Sequence, residues 1–277
     1  MPMKLLVAII LLVNAALPAA AEHGTGLQQL RSLDEIRAWQ AVGRLDIGRR
    51  TCTGVLVGPR HVVTAAHCVL YRDQLLPVEA IRFSAGLREG GFLVSLAAAD
   101  VAIPDNYMTS AAQTAGLDAF FKARTHDLAL ITLEAPVVDL SIRPFRIGRG
   151  THDGQSVSVV SYGRGRNGAP SLQEGCHVLK HVGGAPVMDC ASTFGASGAP
   201  VFITVDDQPL LVSVISGGQD ADGTVQTIGA SALGWLRAQI QAADVPGSGR
   251  LTRRSGGGSL SQQLGRGTAG SLPQIGR

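Results

Sequence analysis

Residues 194–200 have the sequence Phe-Gly-Ala-Ser-Gly-Ala-Pro, and we place the chemistry of the chain in this stretch. Ser197 lies between small residues, and Pro200 closes the turn. Because glycine has no Cβ, Gly195 and Gly198 can adopt backbone conformations that direct N–H groups toward the Ser197 hydroxyl. Such groups can hold the oxyanion that forms when a hydroxyl attacks a carbonyl. Many surface loops have a similar composition, so this stretch alone does not indicate catalysis. A catalytic serine would also need a base and an acid from elsewhere in the chain.

A histidine suited to act as the base follows a strand-like run at residues 62–64. The sequence Thr64-Ala65-Ala66-His67-Cys68 has small residues that leave room beside the His67 ring. Histidine can accept a serine proton and return it near neutral pH. A hydrogen-bonded core histidine is the alternative on position alone.

An acidic candidate leads directly into an apolar strand. Asp127 precedes the run Leu-Ala-Leu-Ile at residues 128–131, so its carboxylate is expected to be partly buried. A buried carboxylate needs a partner, and an imidazole N–H is a suitable one. A surface aspartate in a turn is the alternative.

Short apolar segments separated by turns extend from residue 41 to residue 228. They are rich in Val, Ile, Leu and Thr, which is typical of a β-sandwich or of β-barrels. No helical patterns of 10–15 residues alternate with them, which argues against a parallel α/β sheet. A helix is predicted at Ser231–Ala243, with an apolar stripe that packs on the last strands. The predicted strands are 41–45, 51–57, 61–64, 81–85, 92–102, 128–133, 156–162, 176–182, 200–204, 210–216 and 223–228.

The two ends of the 277-residue chain differ in composition from its middle. Residues 1–21 contain Lys4, an apolar run of about 13 residues and Ala19-Ala20-Ala21, which predicts a signal peptide cleaved before Glu22. The alternative is a transmembrane anchor, but a span needs about 20 residues. Residues 22–40 are interpreted as an exposed lead-in in which Ser32 caps a short helical turn. Residues 246–277 are rich in Gly, Ser, Arg and Gln and predict a disordered tail.

Charge and histidine spacing exclude several classes of function. The chain contains 24 lysine and arginine residues and 21 aspartate and glutamate residues, which gives a net charge of +3. It has no basic stripe with interleaved aromatic residues, so nucleic-acid binding is not indicated. No cofactor is expected. We also expect no metal site, because the remaining candidates have no metal-binding spacing: His61, His152, His177 and His181.

Together, the three motifs resemble those of the trypsin-like (chymotrypsin-fold) serine peptidases. His67, Asp127 and Ser197 occur in the order of that family, 60 and 70 residues apart. An α/β-hydrolase would have the order Ser, acid, His. The resemblance implies an all-β fold of two perpendicular six-stranded antiparallel β-barrels with the site between them and a C-terminal helix. It places the peptidase domain at residues 41–245, and we interpret residues 105–125 as the junction between the barrels.

The same resemblance implies a role for each site residue. Ser197 would be the nucleophile, His67 the general base and Asp127 the residue that orients the imidazole. The N–H groups of Gly195 and Ser197 would form the oxyanion hole. Further residues would bind the substrate: Ala191, Ser192, Ser216, Gly217 and Gly218.

Four cysteines in an exported chain indicate two disulfides. Four cysteines allow three pairings. The most local one joins Cys52 to Cys68, beside the predicted base, and Cys176 to Cys190, upstream of the predicted nucleophile. The spacing of Cys190 from Ser197 is more similar to the bacterial glutamyl-endopeptidase-like and HtrA-like branch than to vertebrate enzymes.

Two positions depart from the digestive enzymes of this family. Those enzymes have an aspartate before the nucleophile, which pairs with the N-terminus created by zymogen cleavage, whereas this chain has Ala196. We therefore hypothesise that activity requires no second cut. No acidic residue occupies the pocket position that selects Lys or Arg, and Ile215 replaces the pocket histidine of glutamyl endopeptidases. These features favour an uncharged side chain before the scissile bond.

The sequence thus predicts an exported, monomeric serine endopeptidase, secreted or periplasmic, that acts on proteins or peptides. It would have no membrane span after signal removal. A catalytically inactive relative that acts as a binding protein is the main alternative. An esterase is a further alternative, although the order of the three motifs and the strand pattern oppose it.

Overall fold

The computed structural model describes residues 26–86, 91–107, 116–221 and 224–244. The predicted signal peptide at residues 1–21 and the predicted tail at residues 246–277 lie outside the described residues. Within the described ranges, no helix combines the length and the apolar character needed to cross a membrane.

Short strands dominate the described chain, as the turn-rich sequence predicts. The strands are β1 (Leu27–Gln29), β2 (Val42–Ile47), β3 (Arg50–Leu56), β4 (His61–Thr64), β5 (Leu70–Tyr71), β6 (Gln74–Leu75), β7 (Ile81–Ala85), β8 (Val94–Ala102), β9 (Ala129–Leu133), β10 (Arg146–Ile147), β11 (Ser156–Ser161), β12 (Ser171–Val182), β13 (Ala185–Met188), β14 (Pro200–Val205), β15 (Gln208–Ala221) and β16 (Thr224–Ala230). The helices are α1 (Leu33–Arg37), α2 (Ala66–Val69), α3 (Leu117–Thr125) and α4 (Leu233–Asp244), with a 3-10 turn at Val78–Ala80.

The first barrel closes in the order β2-β3-β4-β9-β8-β7. Its strands are antiparallel, and β2 pairs with β3 on one side and with β7 on the other. Apolar side chains such as Leu45, Phe83 and Ile131 are fully buried. Burying one such side chain stabilises the fold by about 1.5–3 kcal/mol.

The second barrel closes because β13 returns to β12. Six strands follow the order β12-β11-β14-β15-β16-β13, and the pairing of β12 with β13 completes the ring. Strand β1 extends this sheet on β12, and β10 pairs in parallel with β15. The predicted all-β fold with two six-stranded barrels is therefore confirmed.

The junction predicted at residues 105–125 is wrong. Strand β9 follows this interval, yet it pairs with β4 and β8 and so completes the first barrel. The connection between the barrels begins only after Leu133. Without β9, strands β4 and β8 would each have an open edge. Pairing with β9 provides hydrogen-bond partners for the backbone groups at both edges. The described part of the interval also contains α3, a helix that the sequence pattern did not predict.

The described part of the lead-in, residues 26–40, is only partly exposed. Ser32 and Glu35 form the capping box of α1, as the predicted helical turn requires. However, Leu30 and Ile36 are each only 2% exposed, and β1 is hydrogen-bonded to the second barrel. The expectation of an exposed segment is therefore wrong for this part, because its apolar residues cover the barrel.

A continuous apolar core joins the two barrels and α4. Phe145 and Phe202 have ring centroids 4.5 Å apart, and Trp39 lies 5.3 Å from Phe202. Leu233 and Leu236 of α4 are buried in the same cluster. The predicted C-terminal helix and its apolar stripe are thus confirmed. The shared core explains how side chains from both barrels can be held at fixed distances.

Replacement of Gly198 by alanine is expected to lower the free energy of unfolding by about 3 kcal/mol, from steric strain and positive φ together. The φ of Gly198 is +76°, and a Cβ there would overlap Thr64 Oγ1 and the Thr53 carbonyl oxygen. Gly175→Ala is the matched control, because Gly175 has a φ of +73° but no atom within 4 Å of the place that a Cβ would occupy. Urea unfolding of both variants measures the difference, and equal losses would contradict the steric argument.

Candidate active site

The end of β4 brings His67 next to Asp127. Strand β4 pairs with β9 so that Thr64 is opposite Ala129, and the two site residues extend from the same end of this pair. The His67 N–H donates to Asp127 Oδ1 at 2.9 Å, and His67 Nδ1 lies 2.7 Å from Asp127 Oδ2. Because one carboxylate binds both the backbone and the ring, the imidazole has little freedom to rotate.

The Asp127 carboxylate is fully buried and has several polar partners. Ser216 donates its hydroxyl to Oδ2, and Arg124 Nη1 lies 3.8 Å from the same oxygen. Burial alone raises the pKa of Asp127, but the charge and hydrogen bonds of His67 and the Ser216 hydroxyl outweigh it, so the pKa is lower than usual. Asp127 is therefore ionised at neutral pH and can stabilise a positive charge on His67.

Strand β3 holds the Ser197 loop from the other barrel. Thr53 is fully buried, and its hydroxyl donates to the Gly195 carbonyl at 2.9 Å. Its N–H donates to the Ser197 carbonyl, also at 2.9 Å, and its Oγ1 accepts from the Tyr162 N–H. Thr53 thus attaches the predicted nucleophile loop to the barrel that carries His67. Sequence reasoning missed Thr53, because a threonine within a strand has no distinguishing pattern.

The predicted nucleophile loop contains the backbone N–H groups of Gly195 and Ser197. Among the residues that the structure describes, no protein acceptor binds the N–H of Gly195 or that of Ser197. Gly195 has a φ of +92°, and a Cβ would lie 2.5 Å from the Tyr162 carbonyl oxygen, so only glycine fits. These are the two groups predicted to form an oxyanion hole.

Ser197 and His67 line one cleft of about 570 Å³ together with Gly195. In the described part of the chain, the Ser197 hydroxyl forms no hydrogen bond with His67. Such bonds are often long in a site without substrate and shorten when substrate binds. The structure thus brings together a hydroxyl, an imidazole held by a buried carboxylate, and two free backbone donors, which is a set suited to acyl transfer.

Both disulfides of the most local pairing are present. Cys52 in β3 is bonded to Cys68 in α2, which fixes the backbone beside His67. Cys176 in β12 is bonded to Cys190, seven residues before Ser197. Asp189 lies close to the second pair of sulfurs, but disulfide-bonded sulfurs do not act as thiolate ligands for a metal ion.

The residues predicted to bind substrate have different environments. Ala191 donates its N–H to Gln173 Oε1 at 2.9 Å, and Ser192 nearby is partly exposed. Gly217 and Gly218 lie in β15, paired with β16. The Ser216 hydroxyl binds Asp127, so the role predicted for Ser216 in substrate binding would fall to its backbone, and it stays a prediction.

Arg124 supports the site, although its sequence motif did not predict this. Its Nη1 donates to the Ser216 carbonyl at 2.9 Å, and its guanidinium lies against Gly217. The guanidinium carbon also stacks 4.8 Å from the Phe120 ring centroid. The charged side chain therefore covers the predicted acid on the side of β15. Its position three residues before Asp127 is the only sequence signal for it.

Ala196 and Ile215 lie inside an apolar cluster of the second barrel. Ala196 is 2% exposed and Ile215 is fully buried, and both pack with Val157, Val201 and other aliphatic residues. The Ile215 backbone also accepts from the Gly198 N–H at 2.8 Å. The nucleophile loop is thus held by apolar packing at the position where digestive enzymes have a charged aspartate.

The fold and site agree with the comparison against protein families. The family model described as Trypsin matches residues 32–232, most of the described chain. The chain belongs to the trypsin family. As a member of that family it is a serine endopeptidase, and its substrates are peptides.

A solved structure shares the fold of this chain. The structure of a Glu endopeptidase in complex with MPD aligns with a TM-score of 0.63 and 16% sequence identity. The alignment covers 79% of this chain and 97% of that chain. At this identity the likeness concerns the fold, which is the one that the sequence predicts. No curated protein matches the chain.

Proposed function

We propose that this trypsin-family chain is an exported endopeptidase that acts through a Ser197–His67–Asp127 triad and an acyl-enzyme. The observation that carries the proposal is the double contact of His67 with the buried Asp127, at the edge of the cleft that Ser197 also lines. An ionised, fully buried carboxylate behind a histidine that lines a solvent cleft is the arrangement typical of a functional site.

The chemistry follows from this arrangement. Ser197 Oγ attacks the scissile carbonyl while its proton passes to His67 Nε2, and Asp127 holds the proton on Nδ1. The Gly195 and Ser197 N–H groups stabilise the oxyanion, and one such donor contributes on the order of 3 kcal/mol to barrier lowering. The C–N bond then breaks as His67 donates its proton to the leaving amine. Water, deprotonated by His67, hydrolyses the ester in the same way.

Activity is proposed to need no second activating cut. Ala196 cannot form an ion pair with a new N-terminus. Instead, its side chain packs in the apolar cluster of the second barrel. Hydrogen bonds from Thr53 and to Ile215 already order the loop. Mass spectrometry of the probe-labelled species tests this proposal. A labelled form that begins at Glu22 supports it, whereas an inert Glu22 form beside an active, internally cleaved form contradicts it.

Two disulfides support the proposal of a secreted or periplasmic location, because such bonds persist in oxidising compartments. We further propose a monomer whose acyl-side pocket accepts an uncharged side chain. Ile215 is buried in the apolar cluster and places no titratable group in that pocket. A peptide-library profile restricted to Arg and Lys, or to Glu, would contradict the pocket proposal.

Labelling with a fluorophosphonate probe tests the proposed function directly. The oxidised wild-type protein is expected to incorporate one probe molecule at Ser197, and Ser197→Ala is expected to incorporate none. Ser156→Ala, which changes an exposed serine of β11, is the matched control and should label normally. Failure of the wild-type protein to label would favour the inactive binding protein, and labelling without hydrolysis of any peptide would favour a narrow or non-peptide substrate.

A further inference from the structure

Three arginines line the cleft that contains Ser197. Arg49 lies in the turn before β3, Arg50 is the first residue of β3, and Arg164 lies in the segment after β11. All three are exposed at the cleft wall, and no aspartate or glutamate is among the residues that line this cleft. The cleft is therefore positively charged beside the predicted nucleophile.

These charges are not neutralised by the protein. Within the described chain, none of the three arginines forms an ion pair, whereas nearby Arg44 is paired with Asp46 at 2.8 Å. Arg50 donates to the Leu70 carbonyl at 2.7 Å. The guanidinium carbon of Arg164 lies 4.4 Å from the centroid of the Phe194 ring. Two of the guanidinium groups are thus positioned by uncharged partners and keep their charge available for a ligand.

The cleft lies on the leaving-group side of Ser197. Its wall includes His67 and the Cys52–Cys68 disulfide. It contains none of the residues that we assign to the acyl-side pocket, which lie at 191–192 and along β15. Because His67 donates its proton to the departing amine, the leaving peptide extends past His67 into this cleft. Its volume of about 570 Å³ suits a peptide segment.

We propose that this arginine cleft, defined by Arg49, Arg50 and Arg164, binds acidic side chains that follow the scissile bond of the substrate. The proposal rests on the proposed function, since that function defines which side of Ser197 receives the leaving group. Guanidinium groups bind carboxylates through charge-assisted hydrogen bonds. A cluster of unpaired positive charge in a cleft also concentrates anionic substrates before they bind.

Matched quenched peptides test the proposal. The peptides share one acyl side and carry Asp-Glu, Asn-Gln or Lys-Lys in the two positions after the scissile bond. For the wild-type protein, kcat/KM is expected to be about tenfold higher with Asp-Glu than with Asn-Gln, the scale of a few exposed ion pairs. The lysine peptide is expected to be the poorest substrate. Equal values for the acidic and neutral peptides would overturn the proposal.

In the triple variant Arg49→Gln/Arg50→Gln/Arg164→Gln, the kcat/KM values for the Asp-Glu and Asn-Gln peptides are expected to agree within twofold. Arg143→Gln is the matched control, because Arg143 is exposed and lines a cleft that does not contain Ser197. Fluorophosphonate labelling at the wild-type rate shows that the triple variant is folded and that its triad works. Retention of the full acidic preference by a labelled triple variant would overturn the proposal.

Binding to the Ser197→Ala protein separates this proposal from the proposed function. An Asp-Glu peptide with a free amino terminus mimics the leaving product and requires no catalysis. We expect the Asp-Glu peptide to bind the Ser197→Ala protein about tenfold more tightly than the Asn-Gln peptide binds it. Raising the salt concentration from 0.1 M to 1 M should remove this difference, because the screening length falls from about 10 to about 3 Å. If the wild-type protein cleaves nothing but this binding occurs, the cleft proposal stands and the proposed function fails. No preference in binding would overturn the cleft proposal.

Discussion

Replacement of His67 by alanine is expected to lower kcat for peptide hydrolysis about 10⁶-fold, the scale of losing the base from a serine peptidase triad. Without the imidazole, no group near Ser197 accepts the hydroxyl proton or returns it to the leaving amine. The His67 side chain is about a third exposed, so its loss should leave the core intact. Burst kinetics with a fluorogenic peptide, together with urea unfolding, measure both effects.

The control for this variant is His181→Ala. His181 Nδ1 lies 2.6 Å from Asp153 Oδ1, nearly the same geometry as the pair in the site, but this second pair does not line the cleft of Ser197. We expect His181→Ala to keep kcat within twofold of the wild-type value. Residual activity of His67→Ala within tenfold of wild type would show that another group acts as the base and would contradict the triad.

Replacement of Asp127 by asparagine is expected to lower kcat about 10⁴-fold with little change in KM. Asparagine preserves the shape of the side chain, but it removes the charge that stabilises the imidazolium and allows the wrong tautomer of His67. Asp127 is fully buried, so the substrate does not contact it and the KM effect should be small. Single-turnover acylation rates across pH give the measurement.

Asp153→Asn is the matched control, since it alters the carboxylate of the His181 pair and should keep kcat near the wild-type value. A kcat for Asp127→Asn within tenfold of wild type would show that the buried carboxylate only supports the fold.

The difference in stability between the wild type and Asp127→Asn is also expected to depend on pH. Because the folded pKa of Asp127 is lower than usual, its charge stabilises the folded state above the ordinary carboxyl pKa of about 4. This contribution is lost as the pH falls through the lower folded pKa. The difference in free energy of unfolding between wild type and Asp127→Asn should therefore shrink between pH 5 and pH 2. A constant difference would contradict the lowered pKa.

The local chemistry of the site was predictable because its residues lie in short, compositionally distinct motifs. His67 beside Cys68, Asp127 before an apolar strand and Ser197 between small residues each carry their signal within a few positions. In the structure, His67 and Ser197 line one cleft and Asp127 lies behind His67. By contrast, Thr53 and Arg124 support the site through contacts with residues up to 142 positions away. No local pattern marks Thr53, and Arg124 is marked only by its position near Asp127.

Strand pairing shows the same limit at the level of the fold. The apolar run of β9 was predicted as a strand, but its membership in the first barrel was not. Period-2 patterns report which residues are buried, whereas the partner of a strand depends on which edges remain open after other strands pair. The misplaced junction at residues 105–125 follows from this difference.

The sequence by itself determined the fold class, the identity of the three motif residues and the cap of α1. It also indicated the most local pairing of the four cysteines. Each of these depends on local composition or spacing. Only the tertiary structure decided where the barrels divide, how Thr53 joins the nucleophile loop to the other barrel, and that Arg164 meets Arg49 and Arg50 beside Ser197. These features depend on barrel closure, which brings together residues more than 100 positions apart. Their charges and hydrogen bonds act only after the apolar core has formed.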